Sequence, residues 1–221
     1  MIIGITGATG SGKTTIATKV VEKLGNASEL VSIDEIGHDV TAIPEIKHKL
    51  VKKFGAEILD ENKEIDRKKL GAIVFNDDES MDFLTKITWP KMERMIFQKM
   101  RNTESKYLIL EYSLLPLAER VWDKCDLRIL IKRPDKIRME GLVLRDKVSA
   151  SYLRSREKAS LDYSDFRTDI DKTFKNINHD DVNKAVLSIV AEIAKLEKIN
   201  KGVNITRGTQ GRGASAVGLS R

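Results

Sequence analysis

Residues 7–14 read Gly7-Ala8-Thr9-Gly10-Ser11-Gly12-Lys13-Thr14, directly after the short apolar run Met1-Ile2-Ile3-Gly4-Ile5-Thr6. That run is rich in β-branched residues, as a buried parallel strand requires. Beyond the loop, Ile16, Ala17, Val20, Val21 and Leu24 recur at helical spacing until Gly25 offers a stop. Strand, glycine loop and helix in this order form a phosphate-binding loop. The glycines let the backbone turn tightly and aim successive N–H groups at one anion, and the helix adds its positive N-terminal dipole. Lys13 is then placed to reach the β- and γ-phosphates of ATP, and the Thr14 hydroxyl to ligate Mg²⁺. The expected nucleotide-binding set is Gly7, Ala8, Thr9, Gly10, Ser11, Gly12, Lys13, Thr14 and Thr15.

Outward from this loop, further strands are expected at 30–33, 107–111 and 127–131, with a fifth near 170–174. Helical spacing covers about 44–54, 66–75, 79–102, 135–146, 149–159 and 180–197, and Pro90 marks a break or a new start in the third of these. Strands alternating with helices predict an α/β fold, a five-stranded parallel sheet covered on both faces. The helical run from about 44 to 102 is too long for a simple crossover and reads as an insert that closes over a substrate. Residues 1–197 read as one domain. Residues 198–221, rich in Gly, Ser, Thr and Arg without apolar periodicity, read as a flexible basic tail.

Composition narrows the class. A chain of 221 residues with 41% hydrophobic content buries a core of one domain. Cys125 alone cannot make an internal disulfide. No apolar run approaches the roughly 18 residues of a membrane span, and no secretory signal is visible, so a cytoplasmic enzyme is expected. The net charge of +6 is concentrated in Lys198, Lys201, Arg207, Arg212 and Arg221, with no acid after 197. The body is left nearly neutral, without a basic nucleic-acid face.

Two acids stand at strand ends on the edge where open parallel sheets bind ligands. Asp34 is expected to close the second strand and Glu111 the third. Asp34 would orient an attacking hydroxyl and accept its proton, while Glu111 would hold Mg²⁺ through water. Arg138, Arg145, Arg154 and Arg156 fall in the helical pair after the fourth strand, where arginine can neutralise a transferring phosphoryl group.

The combination resembles the dephospho-CoA kinase family. The segments that carry the resemblance are Gly4–Thr15, Ile33-Asp34-Glu35-Ile36-Gly37-His38, Phe54-Gly55-Ala56-Glu57-Ile58-Leu59 and Ile65-Asp66-Arg67-Lys68-Lys69-Leu70-Gly71-Ala72-Ile73-Val74-Phe75. Trp89-Pro90, Ser113-Leu114-Leu115, Cys125-Asp126 and Arg145-Asp146 follow in order. The likeness is clear through about residue 146, and the 65–75 segment is its most specific part.

The resemblance implies ATP-dependent transfer to the ribose 3′-hydroxyl of dephospho-CoA, giving CoA. It also implies a nucleotide core, a helical acceptor-binding insert over about 44–102 and a helical lid over about 138–158. Asp34 matches the family's catalytic aspartate, Arg67 a basic residue of the insert, and Arg145 a lid arginine. His38 and Leu115 fall in matched acceptor-side segments, and Asn176 falls at a nucleotide-side pair near the C-terminal end. The chain departs from the pattern at Trp89, where the family has His, at Ser113, where it has Pro, and at Gly141, where it has a second lid arginine. Arg138 or Lys136 is then the substitute for that arginine.

Two other readings stay open on the sequence. A nucleoside or deoxynucleoside monophosphate kinase shares the core and lid, and a nucleotide-dependent nucleic-acid-binding protein could grip through the Gly/Arg tail. Aromatic content of 5% argues against extended base stacking in the latter. A monomer or small homo-oligomer is expected. Deleting residues 201–221 is expected to leave turnover and thermal stability almost unchanged, because the tail offers no apolar face to bury. A coupled transfer assay and a thermal melt of the truncated chain check this.

Overall fold

The computed structural model describes residues 1–146, 153, 157 and 160–209. The elements are β1 (Ile2–Thr6), α1 (Lys13–Leu24), β2 (Ser28–Ser32), α2 (Ile33–Ala42), α3 (Pro44–Phe54), α4 (Arg67–Val74) and α5 (Asp78–Asn102). They continue with β3 (Tyr107–Glu111), α6 (Glu119–Trp122), β4 (Leu127–Lys132), α7 (Asp135–Asp146), β5 (Lys172–Lys175) and α8 (His179–Thr209). The five strands form one sheet in the order β2-β3-β1-β4-β5, and every pairing is parallel. The α/β fold expected from the alternation is the one observed.

Strand periodicity divides the core in two. Ile3, Ile5, Ile109, Ile129 and Ile131 pack with Ile16 and Val20 of α1 and Ile189 and Ile193 of α8. Leu108 and Leu110 point the other way, toward α2 to α6, with Ile36, Leu50, Met92, Ile96 and Trp122. Because both faces are covered, the strands read as unbroken apolar runs. Gly4 lies on the crowded α6 side. A Cβ there would stand 2.9 Å from Cys125 Sγ and 3.1 Å from both Leu115 Cδ2 and Trp122 Cζ3.

Several boundaries differ from the sequence expectation, each for a local reason. The second strand ends at Ser32 and a helix begins at Ile33, so Asp34 sits in the first turn of α2 and does not close a strand. The Ser32 side chain caps that turn by accepting from Glu35 N–H at 3.4 Å. Ser32-x-x-Glu35 is a capping-box pattern that signals this start. Helix α5 runs unbroken through Pro90. Its buried face, Thr88, Met92 and Ile96, is clamped into the core, and that packing offsets the roughly 3 kcal/mol an interior proline costs. Helix α8 continues past 197 to Thr209, since the segment holds no proline and its two glycines, Gly202 and Gly208, cost only about 1 kcal/mol each. The helix expected over 149–159, apart from Leu153 and Glu157, lies outside the described residues, with Arg154 and Arg156. The tail from 210 lies outside them as well. Among the described residues no helix is long and apolar enough to cross a membrane.

The packing around Gly4 yields a stability test. Gly4→Ala forces a methyl against three buried side chains, and overpacking of this kind costs about 1–3 kcal/mol. A melting-temperature drop on the order of 5 °C is expected, read by differential scanning calorimetry, while Gly141→Ala, whose Cβ meets nothing within 4 Å, should not lower it.

Candidate active site

The sheet register assembles the site. Ile5 of β1 and Ser32 of β2 both stand opposite Glu111 of β3. The glycine loop, the α2 N-terminus and Glu111 therefore emerge level, at the carboxyl edge of three neighbouring strands, where open parallel sheets bind their ligands.

The loop turns through a Ser11 N–H to Ala8 C=O hydrogen bond of 3.0 Å. Gly7, Gly10 and Gly12 take positive φ values of 148°, 80° and 89°, a region side-chain-bearing residues avoid. Gly12 has a second constraint, because a Cβ there would fall 2.1 Å from Asn176 Nδ2. Asn176 is buried, follows β5, and donates from Nδ2 to the Ser11 carbonyl at 2.7 Å, while its own N–H donates to Lys132 C=O at 2.8 Å. Asn176 thus braces the loop from behind.

Lys13 and Glu111 form a buried ion pair, Nζ to Oε1 3.4 Å, with side chains 7% and 2% exposed. Burial pushes the Glu111 carboxyl above the ordinary glutamate range, the Lys13 ammonium pulls it back only in part, and the charge of Asp34 pushes it up again. Glu111 Oε1 accepts no hydrogen bond, and neither does the buried Ser11 Oγ. Buried polar atoms are rarely left unpaired, so the Ser11 hydroxyl fits a site that completes itself around a ligand, while Glu111 Oε1 faces the Lys13 ammonium. A carboxylate oxygen beside the exposed Thr14 hydroxyl, completed by phosphate oxygens and water, is a donor set suited to Mg²⁺. Among the described residues no cluster of three His, Cys, Asp or Glu side chains forms a dedicated metal cage.

A cavity of about 630 Å³ opens beside the loop, within the usual size for a small-molecule site. Three helices face it with residues three or four apart, the spacing of one helical face. Helix α2 contributes Asp34, Gly37, His38 and Thr41, α4 contributes Arg67, Leu70, Gly71 and Val74, and α5 contributes Met81, Leu84, Thr85, Thr88, Trp89 and Met92. Asp66 starts α4 by accepting from Lys68 N–H at 2.8 Å and Lys69 N–H at 3.1 Å, which sets Arg67 on the first turn. Arg138 and Arg145 of α7 also line the cavity.

Of the residues singled out from the sequence, Lys13, Thr14, Glu111 and Asp34 gather at the sheet edge, and His38, Arg67 and Arg145 ring the cavity. Leu115 does not: its side chain is fully buried in the core, packed where it would touch a Cβ at Gly4, and Leu114 takes the place on the cavity wall. Arg138 is reached differently from expected. It is 2% exposed, its guanidinium is bound by both oxygens of Glu157 and by Asp135 at 3.0 Å, and Nη1 donates to Thr9 C=O at 3.1 Å. In this state its charge is matched by two carboxylates, and it ties α7 to the glycine loop. Leu142 and Arg138 also rest on Gly10, where a Cβ would meet Leu142 Cγ at 2.8 Å.

The structure adds residues the sequence reading passed over. Tyr112 follows Glu111 and lines the cavity, and its place just beyond a strand's carboxyl end was a usable signal. Tyr163 arrives from a long connection with no motif. Its hydroxyl donates to Ser113 C=O at 2.5 Å, and burial pushes the phenol up to about 12, so it remains a donor.

The family model described as dephospho-CoA kinase matches residues 1–181. The dephospho-CoA kinase of Fusobacterium nucleatum is 31% identical over 150 residues, which cover 67% of this chain and 75% of that protein. That of Campylobacter jejuni is 27% identical over 196 residues, 86% of this chain and 96% of the relative. The solved structure of dephospho-CoA kinase from Campylobacter jejuni superposes with a TM-score of 0.55 at 27% identity, over 87% of this chain and 96% of that one. A solved Thermus thermophilus protein reaches a TM-score of 0.67 at 24% identity, over 87% of this chain and 97% of that one, and shares the fold. With a glycine loop, a facing aspartate and the 65–75 segment placed on one cleft, the chain belongs to the dephospho-CoA kinase family, phosphotransferases with an alcohol group as acceptor.

Proposed function

We propose that the chain transfers the terminal phosphoryl group of ATP to the ribose 3′-hydroxyl of dephospho-CoA, with Asp34 as the acceptor-side carboxylate. The observation that carries this is the position of Asp34 on the α2 turn, lining the acceptor-sized cavity while close enough to Glu111 for its charge to be felt there.

The loop amides and Lys13 bind and align the phosphates, with Ala8, Thr9, Ser11 and Thr15 beside them. Thr14 and Glu111 would hold Mg²⁺, which on binding supplies charge neutralisation at the phosphates. Glu111 also compensates Lys13 while no phosphate is present, since an unpaired buried ammonium is costly. Asp34 orients the hydroxyl and takes its proton as the new bond forms. A loose transition state leaves little charge on the attacking oxygen until late, so a carboxylate of ordinary basicity is adequate.

Helices α3 to α5 with α2 act as the acceptor-binding insert. Arg67 and Lys68, on the first turn of α4, suit the diphosphate of the acceptor, and the Leu70, Val74, Met81 and Leu84 surface suits its aliphatic arm. Arg145 is the lid arginine for the transferring group, and Arg138 braces the lid.

An acceptor screen with ATP and Mg²⁺ tests the reading. Dephospho-CoA is expected to be phosphorylated at least tenfold faster than any common nucleoside monophosphate, and the reverse ranking would assign the chain to a monophosphate kinase activity. Asp34→Asn keeps the shape but cannot take the proton, so kcat should fall about 10²-fold or more with ATP affinity nearly unchanged. Unchanged kcat in a labelled-phosphate assay would remove Asp34 from the acceptor side and leave Glu111 as the next candidate.

A further inference from the structure

One feature of the cavity wall has no part in the chemistry above. The rings of Trp89 and Tyr112 lie nearly parallel, 12° between planes and 6.5 Å between centroids, and both line the same cavity as Asp34. They come from elements distant in sequence, one from α5 and one from the loop after β3, and both pack against the same core.

Tyr112 is fixed by its neighbours. Its N–H donates to Ile5 C=O at 3.2 Å, and the carbonyl of the next residue, Ser113, accepts from Thr6 Oγ1 at 3.1 Å and from Tyr163 at 2.5 Å. Trp89 lies between Thr88, whose hydroxyl donates back to Leu84 C=O at 2.8 Å, and Pro90, which removes a helix hydrogen bond. Trp89 is half-buried, packed against the core on one side and lining the cavity on the other.

We infer that Trp89 and Tyr112 form an aromatic wall that stacks the purine base of the acceptor nucleotide beside Asp34. This rests on the acceptor reading above. If the ribose 3′-hydroxyl meets Asp34, the base on that ribose lies close by, and this ring pair offers it a flat surface on the same cavity wall. Flat aromatic faces bind bases through stacking that does not depend on base-edge hydrogen bonds. Arg67 and the aliphatic surfaces of α4 and α5 suit the diphosphate and the arm, while the two large rings of Trp89 and Tyr112 offer the broadest stacking area beside Asp34. The low overall aromatic content makes the pairing of two such rings on one cavity wall more telling.

Fluorescence and kinetics together test the wall. The chain has two tryptophans, and Trp122 is buried in the core beneath Gly4, so it serves as a constant reference. With the donor site filled by ADP and Mg²⁺, dephospho-CoA should quench wild-type emission saturably, and Trp89→Phe should abolish the quench while binding persists. Trp89→Ala should raise KM for dephospho-CoA about 5- to 150-fold, the affinity range of one lost base stack, with kcat and the ATP KM within about twofold of wild type. Trp89→Phe should restore KM to within about threefold. No quench in the wild-type protein, or an unchanged acceptor KM in Trp89→Ala, overturns the inference, as does a rise confined to the ATP KM. If wild type fails to phosphorylate dephospho-CoA, the acceptor reading falls separately. The same titration with 5′-AMP then decides the wall, a Trp89-dependent quench upholding it and none overturning it.

Discussion

The parallel register at the centre of the sheet governs everything else in this molecule. Glu111 stands opposite Ile5 on one side and Ser32 on the other. A parallel ladder fixes all strand ends on one edge, so the glycine loop, the α2 turn with Asp34 and the Glu111 carboxylate must converge. That register is enforced by burial. With both faces packed, a slip of one residue would exchange the two halves of the core, moving Ile3 and Ile5 from the α1 and α8 side to the α6 side. The α6 side is already so full at Gly4 that a methyl would collide with three neighbours.

Convergence brings an electrostatic cost that the site manages locally. Lys13 and Glu111 are both nearly inaccessible, and two such charges stay in the interior only by facing one another. The carboxyl of Glu111 is still raised by its burial, and one oxygen is left without a hydrogen bond. A core optimised only for stability would not keep that arrangement, since apolar residues of similar volume are commonly as good or better. The same reasoning applies to Arg138, which burial would exclude were it not held by Glu157, Asp135 and the Thr9 carbonyl. The consequence is a direct mechanical tie between helix α7 and the glycine loop.

The cavity follows from three helices laid against one sheet face. Each contributes residues at three- or four-residue spacing, and the rows meet because α2 and α5 pack closely where Gly37 lacks a side chain. A Cβ at Gly37 would lie 3.2 Å from Met92 Cε. Asp34 and His38 are one turn apart on the same row, so a single helix places two of the cavity's polar side chains. Packing of α5 against this row also explains how the helix carries Pro90 without breaking.

The chain by itself determined the sheet, its parallel sense and the phosphate loop, because strand runs, glycine spacing and helical periodicity are local patterns in which each residue restricts its near neighbours. The glycine-loop motif pointed to Lys13, and the shared edge of parallel strands pointed to Glu111, which ends β3, and to Asp34, which reaches that edge from the first turn of α2 and not from a strand end. Helix α2 was legible in principle through Ser32 and Glu35 but is short, with Gly37 at its middle, so apolar spacing alone did not reveal it. Only tertiary structure decided that Leu115 belongs to the core and Leu114 to the cavity, since adjacent residues on a short turn differ in direction and not in type. It alone decided that Arg138 pairs with Glu157, 19 positions away, that Asn176 backs Ser11 from 165 positions away, and that Trp89 meets Tyr112. These are contacts between side chains from distant elements, and nothing in the spacing of either partner encodes the distance at which the folded chain sets the other.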